Sequence, residues 1–159
     1  VFKVGDKVVY PMHGAGVIEA IEEKEFLGER RAYYVLNMPI GDMRVLIPLE
    51  HMERLGLREV LSAEDFQALE EALEANEAPS DKNWNQRYRA HMEKMKSGDV
   101  LAVAVVVRNL MRREKRRGLS TGERRMLDNA RQILISEIAL AKNLEVDEAE
   151  AWIEKRVLG

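Results

Sequence analysis

Beyond residue 82 every helix announces its own start and stop, and this punctuation limits the possible folds more than any other feature of the chain. Asn83 followed three residues later by Gln86 is a capping-box pattern, placing Trp84 on the first turn of a basic helix that closes at Gly98. Asp99 caps a second helix that continues to Arg117 and stops at Gly118. Ser120 with Glu123 opens a third, long one, with Met126, Leu127, Ala130, Ile133, Leu134, Ile138 and Ala141 at helical spacing. Asp147 with Glu150 is read as the start of a last helix that holds Trp152 and ends near Leu158. The run VAVVV at 103–107 has strand propensity, but between two caps it is expected in a helix packed on all sides. Four short helices in a compact bundle are expected.

Residues 3–55 follow a different pattern. KVVY at 7–10, GVIEAIEEKEF at 16–26, RAYYVLNM at 31–38 and DMRVLIP at 42–48 are rich in Val, Ile and Tyr, with Gly and Pro turns between them. Spacings of about ten residues predict a small, highly bent barrel of SH3-like or Tudor-like size, whose last strand offers an open edge. Ser62 with Asp65 then opens a helix through Phe66, Leu69 and Leu73, and residues 74–82, with Pro79, read as a linker. The fold class expected is therefore α+β with two domains, a small Tudor/SH3-like β-barrel followed by an all-α helical bundle. The divisions are 1–61 for the barrel, 62–82 for helix and linker, and 83–159 for the bundle.

Enzyme chemistry finds little support. Gly14-x-Gly16 lacks a third glycine and a following helix, so a tight hairpin or bulge explains it better than a dinucleotide site. His13, His51 and His91 are scattered, and the chain has no cysteine, which removes disulfides, zinc ribbons and thiol nucleophiles together. The many carboxylates fall on polar helix faces and in turns, and no acid and base pair stands out. No metal and no cofactor are expected. The longest apolar run, Val100 to Val107, is far shorter than the ~20 residues of a membrane span, so a soluble, cytoplasmic protein is expected, and it is expected to be a monomer.

A net charge of −3 conceals a segregation that is informative about partners. Residues 1–81 carry 8 Lys/Arg against 17 Asp/Glu, residues 82–131 carry 14 against 5, and residues 132–159 carry 3 against 6. A basic block on one domain is the footprint that nucleic-acid binding requires, although solvated helix faces produce the same count. Trp84, Tyr88, Met92 and Met95 lie at i, i+4, i+8 and i+11 and admit a core stripe. Against that, Trp84 stands at the extreme end of its helix beside Lys82, Arg87 and Arg89, where a ring can meet an unstacked base step while the arginines meet phosphates. Arg112, Arg113, Lys115, Arg116 and Arg117 crowd a helix C-terminus, where the macrodipole favours cations in any protein. Arg124 and Arg125 sit at a helix start, against the dipole, and argue better for an anionic partner.

The segments FKVGDKVVYPMHGAGVIEAI at the start, NWNQRYR at 83–89 and RGLSTGERRMLDNARQIL at 117–134 together resemble the bacterial CarD/CdnL family of transcription regulators. The likeness runs from Phe2 to about Asn143. It implies a Tudor-like domain that binds the β subunit of RNA polymerase, joined to a helical domain that contacts promoter DNA near the upstream edge of the bubble. On that resemblance Trp84 matches a tryptophan placed in the minor groove, and Arg87, Arg89 and Arg124 match positions on the DNA backbone. Arg125 is added from its charge alone. Lys24 and Leu46 match polymerase-facing positions of the barrel, with Arg44 as a neighbour; Leu46 departs from relatives in which an arginine stands there. The rival expectation is a protein–protein adaptor on RNA polymerase that never touches DNA.

Overall fold

The computed structural model describes residues 2–76 and 83–159, so most of the expected linker, and Lys82 with it, lies outside the described residues. Five strands, β1 (Lys7–Tyr10), β2 (Gly14–Phe26), β3 (Glu29–Met38), β4 (Met43–Pro48) and β5 (Arg58–Glu59), form one antiparallel sheet in the order β4-β3-β2-β1-β5. A one-turn helix, α1 (Met52–Leu55), precedes β5. The helical part comprises α2 (Phe66–Glu74), α3 (Trp84–Lys96), α4 (Val100–Arg116), α5 (Thr121–Lys142) and α6 (Val146–Leu158). An antiparallel sheet followed by helices is the expected architecture of a Tudor-like domain joined to a helical one.

Alternation along the strands builds the sheet's own core from Val8, Ile18, Tyr34, Leu36, Met38 and Ile47, all at most 5% exposed. The β2–β3 hairpin extends past β4, which pairs only with residues 33–38, and leaves a two-stranded ribbon beyond it. Its turn places Leu27 at φ 53 and Gly28 at φ 80, and two left-handed residues in succession match the twist of paired strands. A register shift between Ile18 and Ala20 bends β2 where it leaves the helical part.

The valine run of α4 is buried as its caps predict: Val103, Ala104, Val106 and Val107 join Leu127, Ala130, Leu134 and Ile138 of α5 in the helical core. Phe66, Leu69 and Leu73 of α2 belong to the same core, so this helix packs with the bundle and not with the sheet. α5 is the long helix expected to open at Ser120, 22 residues or roughly 33 Å at 1.5 Å per residue. One start differs from the sequence expectation. α6 begins at Val146: Asn143 turns left-handed at φ 55, the Leu144 N–H bonds the Ala139 carbonyl at 2.9 Å, and Glu148 returns to the Glu145 N–H at 3.1 Å. The box therefore forms two residues before the Asp147–Glu150 pair.

α5 lies against β1 and β2 and ties the two parts together. The Ala15 N–H donates to Ser136 Oγ at 2.9 Å, Lys7 Nζ donates to the Leu140 carbonyl at 2.8 Å, and Arg58 of β5 pairs with Glu137. No helix among the described residues is long and apolar enough to cross a membrane.

Candidate nucleic-acid interface

The start of α3 fixes the tryptophan. Asn83 Oδ1 accepts from the Gln86 N–H at 2.9 Å, and Gln86 Oε1 accepts from the Asn83 N–H at 3.1 Å, which closes the capping box and puts Trp84 on the first turn. One turn along, Tyr88 stacks beneath it with ring centroids 5.1 Å apart and planes within 6°. The stripe that begins at Trp84 then descends: Tyr88 and Met92 are half-buried, and Met95 is 2% exposed in the helical core. Trp84 itself is 39% exposed, so the stripe is core at one end and surface at the other.

The start of α5 meets the start of α3 at this ring. Trp84 Nε1–H donates to Ser120 Oγ at 3.0 Å, and Ser120 is the N-cap of α5. The indole edge lies over Gly122, where a Cβ would meet Trp84 Cζ2 at 3.6 Å, an ordinary contact. Glu123, 3% exposed, accepts the Ser120 hydroxyl proton on Oε1 at 3.2 Å. Its other oxygen lies 3.8 Å from Arg87 Nη2 and 3.9 Å from Arg113 Nε, so two cations offset a buried carboxylate.

The expected basic residues divide by their surroundings. Arg87 is part of this buried cluster, with its side chain 19% exposed. Arg124 is exposed and pairs with Glu114 of α4 at 2.9 Å. Arg89 and Arg125 are exposed and make no ion pair with described residues. Arg125 borders an open groove of about 180 Å³ between the β1–β2 turn and the helices, lined also by Met12, Tyr88, Met92, Met126 and Asn129. Of the arginines at the end of α4, Arg112 is structural: it donates to the carbonyls of Leu73, Ala75 and Val157, fastening α2 and α6 to α4. Trp152 is half-buried and packs edge-on to Phe66, with Lys142 and Arg156 over its ring, as simple packing predicts. Ser120, Glu123 and Tyr88 complete the site. Their capping and stripe patterns were visible in the sequence, but their contacts with Trp84 and Arg87 follow from the meeting of the starts of α3 and α5.

The residues expected to face a polymerase lie on the sheet, away from this ring. Leu46 is 44% exposed on β4, an edge strand, and pairs in register with Val35. Arg44 pairs with Glu19 at 3.2 Å, and Glu19 also accepts from Asn37 Nδ2 at 3.2 Å, so one polar ladder crosses β2, β3 and β4. Lys24 stands on the projecting ribbon opposite Arg31, 3.7 Å from Glu22. The structure thus brings Trp84, Arg87, Arg124 and Arg125 to the neighbouring starts of α3 and α5, and leaves Lys24, Arg44 and Leu46 on the sheet.

Residues 2–61 match the family model described as the CarD-like/TRCF RID domain, and residues 68–154 match that of the CarD C-terminal domain. The chain is 43% identical over 143 residues to YdeB of Bacillus subtilis (strain 168), whose name describes it as a candidate transcription factor; the match covers 90% of this chain and 94% of that protein. With both halves matched in order and a relative aligned over nearly its whole length, the chain belongs to the CarD family of transcription factors.

Proposed function

We propose that the sheet domain binds the β subunit of RNA polymerase and that the helical domain stabilises the open promoter complex by wedging Trp84 into the minor groove at the upstream edge of the bubble. The observation that carries this reading is the state of Trp84. It is partly exposed, stacked on Tyr88 and hydrogen-bonded to Ser120, a preformed flat wedge where the starts of two helices carry Arg87, Arg124 and Arg125. Arg89 adds a further exposed cation on α3. The division of labour follows the chain, with residues 1–61 on the polymerase, 62–82 as helix and connection, and 83–159 on DNA. The β4 edge, with Arg44 and Leu46, and Lys24 on the ribbon form the polymerase face. The protein acts as a cytoplasmic monomer, without catalysis or a cofactor.

Ordinary magnitudes suffice for the effect. Stacking on or opening a base step is worth about 1–3 kcal/mol, which shifts an open-to-closed ratio by about fivefold to over a hundredfold. Sequence preference then comes from how easily the DNA deforms and not from base-edge contacts. A second reading, an adaptor that binds only proteins, draws support from Arg87 and Arg124, whose guanidinium groups already face Glu123 and Glu114.

The deciding experiment is the lifetime of open complexes formed by bacterial RNA polymerase without the protein, with it, and with Trp84→Ala shown to be folded. A longer lifetime that the variant loses supports the wedge. Equal lifetimes for wild type and variant overturn it and favour the adaptor.

A further inference from the structure

We infer that Ser120 is a positioning residue for Trp84: its hydroxyl, saturated by three hydrogen bonds, fixes the indole before DNA arrives and withholds the indole N–H from the bases. This deepens the wedge reading and rests on it for its functional consequence.

A serine hydroxyl has one proton to donate and two lone pairs to accept with. At Ser120 all three are used. The proton goes to Glu123 Oε1 at 3.2 Å, and the lone pairs receive the Glu123 backbone N–H at 3.2 Å and Trp84 Nε1–H at 3.0 Å. The direction of these bonds is determined. Glu123 as a carboxylate only accepts, so it must take the hydroxyl proton, and the hydroxyl must then accept from the indole. Arg87 and Arg113 lie within 4 Å of the other oxygen of the buried Glu123 carboxylate and hold Oε1 toward the hydroxyl. The order of influence runs from the arginines through Glu123 and Ser120 to the ring.

The ring is further confined by Tyr88, stacked against one face. A wedge already held in one orientation loses little freedom on binding, which is where preorganisation adds affinity. The minor groove offers acceptors at every A·T pair, and a free indole N–H would read them. With that N–H committed to Ser120, what the ring offers DNA is its flat, apolar surface.

The test compares Ser120→Gly, Ser120→Thr and Trp84→Ala. Glycine keeps most of the N-cap preference and removes the hydroxyl, whereas threonine keeps both. In the free protein the indole ¹H–¹⁵N resonance of Trp84, assigned by its loss in Trp84→Ala, is expected to shift in Ser120→Gly and to stay near its wild-type position in Ser120→Thr. With polymerase and promoter, Ser120→Gly is expected to shorten the open-complex lifetime by about 2- to 12-fold, the change corresponding to one net hydrogen bond, and Ser120→Thr to restore it. An indole resonance that Ser120→Gly leaves in place overturns the inference. So does a lifetime equal to wild type in Ser120→Gly when Trp84→Ala shortens it. If Trp84→Ala leaves the lifetime unchanged, the wedge reading itself fails, and the resonance alone then decides whether Ser120 sets the ring.

Discussion

Arg58 and Glu137 clasp each other across the junction of sheet and helices, Nη1 to Oε2 and Nη2 to Oε1, each at 2.8 Å. The carboxylate is 1% exposed and also accepts the Leu61 N–H at 2.8 Å, while Arg58 Nε donates to the Gly98 carbonyl at 2.7 Å. One pair therefore joins β5, the start of the α2 segment, the end of α3 and the middle of α5. Arg58→Met leaves a buried carboxylate with a single donor. It is expected to cost about 3 kcal/mol, the low end for a broken buried pair because Arg58 retains some exposure. For a chain of this length the melting temperature falls by roughly 6–12 °C. Thermal unfolding checks it, and Arg58→Met combined with Glu137→Leu is expected to recover only part of the loss: no charge then remains buried, but the Leu61 N–H loses its acceptor.

Two glycines predict opposite outcomes for the same substitution. A Cβ on Gly16 would meet Met38 Sδ at 2.7 Å and the Asn37 carbonyl at 2.8 Å, and the carbonyl is held in the β2–β3 ladder. Gly16→Ala is expected to destabilise by about 1–3 kcal/mol through overpacking. Gly122, on the first turn of α5, has room: its Cβ would find Trp84 Cζ2 at 3.6 Å, an ordinary contact. Gly122→Ala is expected to stabilise by about 0.4–1 kcal/mol through the unfolded chain, with the fluorescence spectrum of Trp84 unchanged. Urea midpoints of the two variants, read with unchanged m-values, separate these predictions.

The caps were the most legible part of the sequence, because a cap is a local event. Asn83–Gln86, Ser120–Glu123 and Ser62–Asp65 all form as their spacing predicts. The start of α6 escaped because its cap is Glu145, a residue type outside the usual N-cap set, and because the left-handed Asn143 ends α5 just ahead of it. β5 escaped for another reason: two residues carry no periodicity, and only pairing with Val8 and Val9, some fifty residues earlier, makes Arg58–Glu59 a strand. In the site the position of Trp84 was readable from its cap, but its exposure was not, since the same stripe reaches the core at Met95. The engagement of Arg87 and Arg124 with Glu123 and Glu114 joins side chains of different helices, which spacing along one helix does not describe.

If DNA lies on the starts of α3 and α5, the four arginines differ in measurable ways. Arg89 and Arg125 meet phosphate without giving up an ion pair with a described residue, so Arg89→Ala and Arg125→Ala are each expected to lower the salt slope of the promoter complex by about 1. Arg124 must exchange Glu114 for phosphate, and Arg124→Ala is expected to cost less affinity than either. Arg87→Ala has a different signature, because it also removes one of the two cations beside buried Glu123 and so lowers the melting temperature of the free protein. Binding titrations at several potassium chloride concentrations, set beside thermal melts, give this ordering. An Arg87→Ala protein of wild-type stability would mean that Arg113 alone suffices for Glu123.

The β4 edge carries the last prediction. Met43 and Leu46 are 57% and 44% exposed on a strand whose outer side pairs with no described strand, an arrangement that invites strand addition by a partner. Backbone bonds to such an edge survive most side-chain changes, so specificity must come from the side chains that flank it. Leu46→Glu places a charge where an apolar contact is proposed and is expected to weaken polymerase binding by about tenfold, near 1.4 kcal/mol, with little change in folding stability because Leu46 is already half in water. Binding of labelled protein to polymerase in the absence of DNA measures this directly, with Trp84→Ala as the control that binds normally. Unchanged binding by Leu46→Glu together with Lys24→Ala would remove this edge and the ribbon as the polymerase face, while leaving the promoter-lifetime predictions for Trp84 to stand or fall on their own.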